Sequence, residues 1–160
     1  MKIYTLKRTE FLPVSIETAW DFFSNPNNLP KITPSELNLR ITSEAEEKIY
    51  PGMIITYTVT PIPFIKTNWA TEITQVDPLH YFVDEQRFGP YKFWHHKHFF
   101  TEAGGKTQVK DLVHYSLPFG PIGRLANPLL VSRKLDLIFD YRSARIQKIF
   151  GNSGKNVGFA

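Results

Sequence analysis

The chain has 160 residues, 42% of them hydrophobic, which suits one domain with a single buried core. It has no cysteine, which excludes disulfides and thiolate metal sites and fits a reducing cytosol, so a cytoplasmic protein is expected. The net charge of +4 comes from scattered Lys and Arg, which allows transient contact with an anionic membrane but gives no nucleic-acid footprint. No apolar run approaches the ~20 residues of a membrane helix.

Met1 to Arg8 is alternating and charged and lacks the apolar centre of a signal peptide, so the first strand of the mature fold is placed over Ile3 to Phe11. Ser15 is an N-cap for a helix through Phe23, with Ala19, Trp20, Phe22 and Phe23 on its apolar side. Asn25-Pro26-Asn27-Asn28 breaks that helix, and a short second one is expected around Leu29 to Ile32, before Pro34. Leu37, Leu39 and Ile41 alternate with polar residues as the next strand. Pro51-Gly52 is a turn, and a strand through Ile55, Tyr57 and Val59 follows it. Pro61-Ile62-Pro63 separates this strand from one carrying Trp69, Thr71 and Ile73. After the Asp77-Pro78 turn the sheet continues over Tyr81 to Phe88, breaks at Gly89-Pro90 and runs from Tyr91 to Thr101. Ala103-Gly104-Gly105-Lys106 is a hairpin turn, and Thr107 to Leu117 returns antiparallel.

The last helix organises the rest. With Leu135 at the centre of a ~100° repeat, Val131, Ile138, Phe139, Ile146, Ile149 and Phe150 share one stripe. Arg133, Asp140, Ala144, Gln147 and Lys148 lie opposite. Residues 122–150 are therefore read as an amphipathic helix, clean after Pro128, with Gly151 in the place of a left-handed C-cap. Arg142 falls about 20° from the centre of the apolar face. Either its head snorkels to solvent, or Asp111 or Asp84 holds the guanidinium inside the fold. A stripe this long needs a large concave partner. The fold class is α+β, a curved antiparallel sheet of about six or seven strands wrapped around the C-terminal helix, with two short helices after the first strand. Residues 1–151 form one domain, and 152–160 a flexible tail.

Several motifs carry a family likeness: Phe82-Val83-Asp84-Glu85-Gln86, Gly89-Pro90-Tyr91, Trp94-His95-His96-Lys97-His98-Phe99, Tyr115 through Gly123, and Phe139-Asp140-Tyr141-Arg142. The whole layout resembles the helix-grip fold shared by lipid-transfer START domains, polyketide cyclases and the birch pollen allergen, the SRPBCC superfamily. The motifs resemble one bacterial ligand-binding branch of it, and similar domains occur fused to nucleotide-sugar-epimerase-like reductase domains. The resemblance implies a hydrophobic cavity between sheet and last helix, open at one end. Its partner is expected to be a hydrophobic small molecule or lipid, with no cofactor.

Strand parity nominates the inward residues. In the last strand Val109, Asp111, Val113, Tyr115 and Leu117 share the apolar side. In the strand before it the inward set is Trp94, His96, His98 and Phe100, because the alternative buries Lys97. Between Phe82, Asp84, Gln86 and Tyr81, Val83, Glu85 the apolar content does not decide, and the resemblance favours the first set. Ligand contacts are thus expected from Trp69, Phe82, Asp84, Gln86, Trp94 and His96. Expected on the same wall are His98, Asp111, Tyr115, Leu135, Phe139 and Arg142. The function expected is binding, transport or sequestration of a hydrophobic or amphipathic molecule.

The alternatives are of other classes. His96 or His98 with Asp111 is the candidate proton-transfer pair of a cyclase or lyase acting on a polyketide-like or other carbonyl substrate. The same polar residues also suit a ladder that only fixes register, and the chain suits an interaction module whose cavity is filled by its own aromatics. Two His on one strand face with an Asp have the donor types of a zinc or iron site, but familiar ligand spacings are absent and no metal is expected. No Gly-x-Ser-x-Gly elbow, phosphate loop or dinucleotide fingerprint is present.

Overall fold

A computed structural model describes residues 1–44, 46–62, 64–118, 120–121 and 130–151. The alternating segments form seven strands in one antiparallel sheet. These are β1 (Tyr4–Leu12), β2 (Arg40–Ile41), β3 (Ile54–Ile62), β4 (Ile65–Asp77), β5 (Tyr81–Phe88), β6 (Phe93–Ala103) and β7 (Lys106–Ser116). Their order is β1-β7-β6-β5-β4-β3-β2, so β2 to β7 run as a meander and the first strand closes against the last. Helix α1 (Ile16–Phe23) follows β1, and α2 (Ser132–Gly151) ends the described chain.

The stripe read from the sequence is the face that α2 buries. Leu135, Phe139, Ile146 and Phe150 are buried, while Arg133, Asp140, Ala144, Gln147 and Lys148 are exposed. The sheet grips this helix, as expected of a helix-grip fold. Arg8 on β1 pins the grip from outside through Asp136, at 2.6 Å. Ser15 caps α1 by accepting from the Thr18 amide at 3.3 Å. Trp20 and Phe23 of α1 then meet Phe100 edge to face, and Phe22 meets Phe150 in the same way, which closes one end of the concave face. Among the described residues no helix is long and apolar enough to cross a membrane.

Four local readings change. Leu37 ends a 3-10 turn, Ser35–Leu37, and Asn38 is left-handed at φ 45°, so the next strand shortens to Arg40–Ile41. Pro61 does not end β3 but sits within it at a bulge, where a missing N–H costs no ladder bond, and its carbonyl accepts from Lys134. β6 starts at Phe93, because the turn after Gly89 extends through Lys92. Gly151 is the last helical residue and not a left-handed cap, since the turn that buries Phe150 continues through it. The start of the long helix over 122–129 and the tail over 152–160 lie outside the described residues.

Candidate ligand-binding site

The strand period puts every second residue of β6 and β7 on the concave side. Trp94, His96, His98 and Phe100 are buried along β6, and Thr107, Val109, Asp111, Val113 and Tyr115 along β7. Register sets Asp84 opposite His96 and His98 opposite Asp111. Between this face and α2 lies a cavity of about 710 Å³, within the range of small-molecule pockets. The aromatics among the described residues do not fill it. One part of its wall is an aromatic set, with Trp69 and Trp94 ring centres 5.4 Å apart at 89° and Tyr91 and Trp94 centres 4.7 Å apart. Phe139 and Leu135 of α2 face it from across the cavity, and Phe22, Phe23 and Ile32 line it from the α1 side.

A compact polar cluster sits in the apolar wall. His96 Nε2 lies 2.8 Å from Asp111 Oδ1, and His98 Nε2 lies 2.9 Å from Asp84 Oδ2. The second nitrogens cross over, with His96 Nδ1 3.4 Å from Asp84 and His98 Nδ1 3.0 Å from Asp111. That last contact is close but out of line, so His98 Nδ1 has no hydrogen-bond partner. The two imidazole centres are 3.8 Å apart. Burial alone raises both carboxyls. The His96 and His98 contacts outweigh it and hold Asp111 well below the usual carboxylate range; with Arg142 they also lower Asp84. Burial lowers both imidazoles. For His98 the adjacent Asp111 and Asp84 carboxylates win and the imidazolium is favoured, whereas His96, beside the His98 charge, is pushed down. Burial, with Asp84 nearby, also raises the Tyr57 phenol, whose hydroxyl bonds Thr71 at 2.8 Å.

Of the residues nominated from sequence, Trp69, Phe82, Asp84, Trp94, His96, His98, Leu135, Phe139 and Arg142 line the cavity. Three do not. Asp111 stands behind the imidazoles, and Tyr115 packs behind the wall against Tyr4, 5.5 Å between ring centres. Gln86 is spent on the backbone: it donates to the Tyr91 carbonyl at 2.7 Å and accepts from the Tyr91 amide at 3.2 Å.

Arg142 departs from one of its two sequence readings, the ion pair with Asp84 or Asp111. Among the described residues no ion pair joins it to Asp84 or Asp111, because both carboxylates are taken by the histidines. Its guanidinium carbon instead lies 4.8 Å from the centre of the Phe139 ring, and its Nε is buried without a hydrogen-bond partner. Trp69 also lines the cavity, and its Nε1 is buried without a partner among the described residues.

Sequence reasoning missed Tyr91 and Tyr57. Parity counted from Tyr91 put it on the outer face, but it precedes the strand and turns inward from the loop. Tyr57 shares a strand face with Ile55 and Val59, a signal that was visible and pointed inward. Asp84, His96 and His98 each offer a donor atom within 4.8 Å of the others, a possible metal set.

A family model described as polyketide cyclase / dehydrase and lipid transport matches residues 12–137. No curated protein matches the chain. Solved structures match along nearly the whole length. An aromatase/cyclase from a Streptomyces species is 10% identical over 99% of this chain and all of its own, 100%, at a TM-score of 0.70. A Thalictrum norcoclaurine synthase point mutant, in complex with a transition-state analogue, is 17% identical over 92% of this chain and 96% of its own, at 0.64. A protein of Mycobacterium smegmatis is 19% identical over 91% of this chain and 92% of its own, at 0.63. Identities this low establish a common fold and nothing finer.

Proposed function

The chain belongs to the polyketide cyclase, dehydrase and lipid transport family, and from that premise we propose that it binds an apolar, ring-bearing small molecule with an oxygen acceptor at one end. The observation that carries this reading is a pair of buried donors, Trp69 Nε1 and Arg142 Nε, that have no acceptor among the described residues and belong to side chains lining a mostly apolar cavity. Buried donors are nearly always satisfied, and a ligand acceptor supplies what the protein does not. The apolar body packs against Trp69, Tyr91, Trp94 and Phe139, and the acceptor end turns toward Arg142 and the histidine cluster.

The test uses an aromatic sulfonate, 1-anilinonaphthalene-8-sulfonate, and a neutral naphthalene of similar size. The sulfonate should bind saturably, one per chain, with energy transfer from tryptophan, and more tightly than the neutral probe. Failure of both probes to bind saturably sinks the reading, as does sulfonate binding indifferent to both Trp69→Phe and Arg142→Met.

A second reading is proton transfer on a carbonyl substrate. It is favoured by two imidazoles that share one cavity wall and the same buried carboxylate. An enzyme of this kind loses turnover and keeps probe binding in His98→Gln; a binder has no turnover to lose.

A further inference from the structure

The histidine cluster has an inside and an outside. Asp84, His96 and His98 line the cavity, whereas Asp111, 3% exposed, stands behind both rings. Each imidazole therefore turns one nitrogen to a carboxylate that faces the cavity and the other to a carboxylate that does not. His96 puts Nδ1 on Asp84 and Nε2 on Asp111; His98 puts Nε2 on Asp84 and Nδ1 on Asp111.

An imidazole that ligates a metal is neutral, with one N–H and one lone pair. With the N–H of each ring on its Asp111 side, donated at His96 Nε2 and out of line at His98 Nδ1, both lone pairs face Asp84 Oδ2, acceptor against acceptor. A cation among these three atoms turns that opposition into coordination. It leaves Asp111 accepting the His96 Nε2–H at 2.8 Å and standing 3.0 Å from His98 Nδ1, the place of a carboxylate that orients metal-bound histidines. The spacing suits such an ion. A tetrahedral ion with bonds of ~2.0–2.1 Å holds its donors ~3.3 Å apart. His96 Nδ1 and His98 Nε2 lie 3.4 and 2.9 Å from Asp84 Oδ2, on either side of that value.

We propose that Asp84, His96 and His98 form a site for a divalent first-row transition-metal ion such as zinc or ferrous iron, with Asp111 orienting both imidazoles and a remaining coordination position open to the cavity. No spacing motif announces it, because the donors come from two strands and are joined only by register. The inference deepens the ligand reading, since the open position meets the oxygen end of a cavity ligand. It is nevertheless tested without any organic molecule, so the two fail separately.

The experiment takes the full chain without an affinity tag, stripped by a chelator and dialysed. It is titrated with Zn²⁺ by calorimetry and with Co²⁺ by visible ligand-field absorption. One ion per chain is expected, at micromolar affinity or tighter. Asp111→Asn should weaken binding ~10–100-fold, as removal of an orienting partner does. His96→Ala and Asp84→Asn should weaken it further. His95 and His114, 6.3 Å apart between ring centres on the outer face, are the rival site, and His114→Ala should change nothing. Circular-dichroism melts establish that each variant is folded, and the wild-type stoichiometry stands whatever their stability. The proposal is overturned by the absence of a stoichiometric ion, by full-strength binding in folded His96→Ala, or by loss of binding in His114→Ala.

Discussion

Arg142→Met separates what the arginine does for the fold from what it does for a ligand. The substitution keeps most of the stem and removes the charge. Lost is the guanidinium over Phe139, 4.8 Å from the ring centre, a contact worth about 0.5–2 kcal/mol depending on desolvation. Lost too is its pull on Asp84, the smallest of the influences on that carboxyl. Gained is the removal of an unpartnered buried Nε, which costs about 1–3 kcal/mol to keep. The opposing effects leave a net change within about 1 kcal/mol, or ~2–4 °C in Tm for a chain of this size. An arginine locked in a buried ion pair behaves differently, since its loss strands the partner at a cost of about 3–5 kcal/mol. Urea denaturation of Arg142→Met, Asp84→Asn and the double variant measures the difference, and a coupling below ~1 kcal/mol is expected. In the same variant the sulfonate probe should bind ~10-fold more weakly, because a hydrogen bond to a charged group is lost. A destabilisation of ~3 kcal/mol or more, coupled to Asp84, refutes this account of an unpaired arginine.

Leu135→Asp puts an unpaired carboxylate at a position 4% exposed under the sheet and should abolish cooperative unfolding; a variant melting within about 2 °C of the parent would show that α2 is not the gripped element. Gly89→Ala places a Cβ 2.4 Å from Gln86 Oε1, so Gln86 must release the Tyr91 backbone. Two hydrogen bonds of ~1 kcal/mol each are then at stake; both chemical stability and sulfonate affinity should fall, and a neutral result in both would mean that Gln86 has room to move. Thr107→Val keeps the shape of a fully buried side chain but leaves the Val14 carbonyl without its 2.9 Å donor. A loss of about 1–3 kcal/mol is expected in urea, against no change if that carbonyl finds another donor.

What the sequence made legible followed from periods. The apolar stripe of α2 and the inward faces of β6 and β7 are consequences of 3.6- and 2-residue repeats, and they survive without knowledge of neighbours. The face of β5 was not decided by apolar content, because Phe82 and Val83 are both buried on opposite sides of the sheet. Contacts set by register stayed hidden. Which carboxylate serves which imidazole depends on the alignment of Asp84 with His96 and of His98 with Asp111, and once both Asp are occupied Arg142 has no anion to claim among the described residues. Tyr91 failed for another reason: parity is meaningless across a turn, and the turn outlasted its Gly-Pro signal by two residues, Tyr91 and Lys92.

The pairing of β1 with β7 has a consequence for how this chain is made. Its partners, such as Leu6 and Val113, lie roughly 100 residues apart, so the length-dependent part of closing that loop costs about 4 kcal/mol. At ~5–20 residues per second of synthesis, β1 leaves the ribosome ~5–20 s before the strand it needs exists. Strands β2 to β7 have sequential neighbours and can assemble as each hairpin emerges, but β1 has only itself for that interval. Lys7, Arg8 and Glu10 interrupt its apolar positions, and charge on an unpaired strand discourages adventitious edge pairing. Once β7 and then α2 have followed, Arg8 finds Asp136 on the last helix at 2.6 Å, so a charge that guarded the nascent strand becomes its latch.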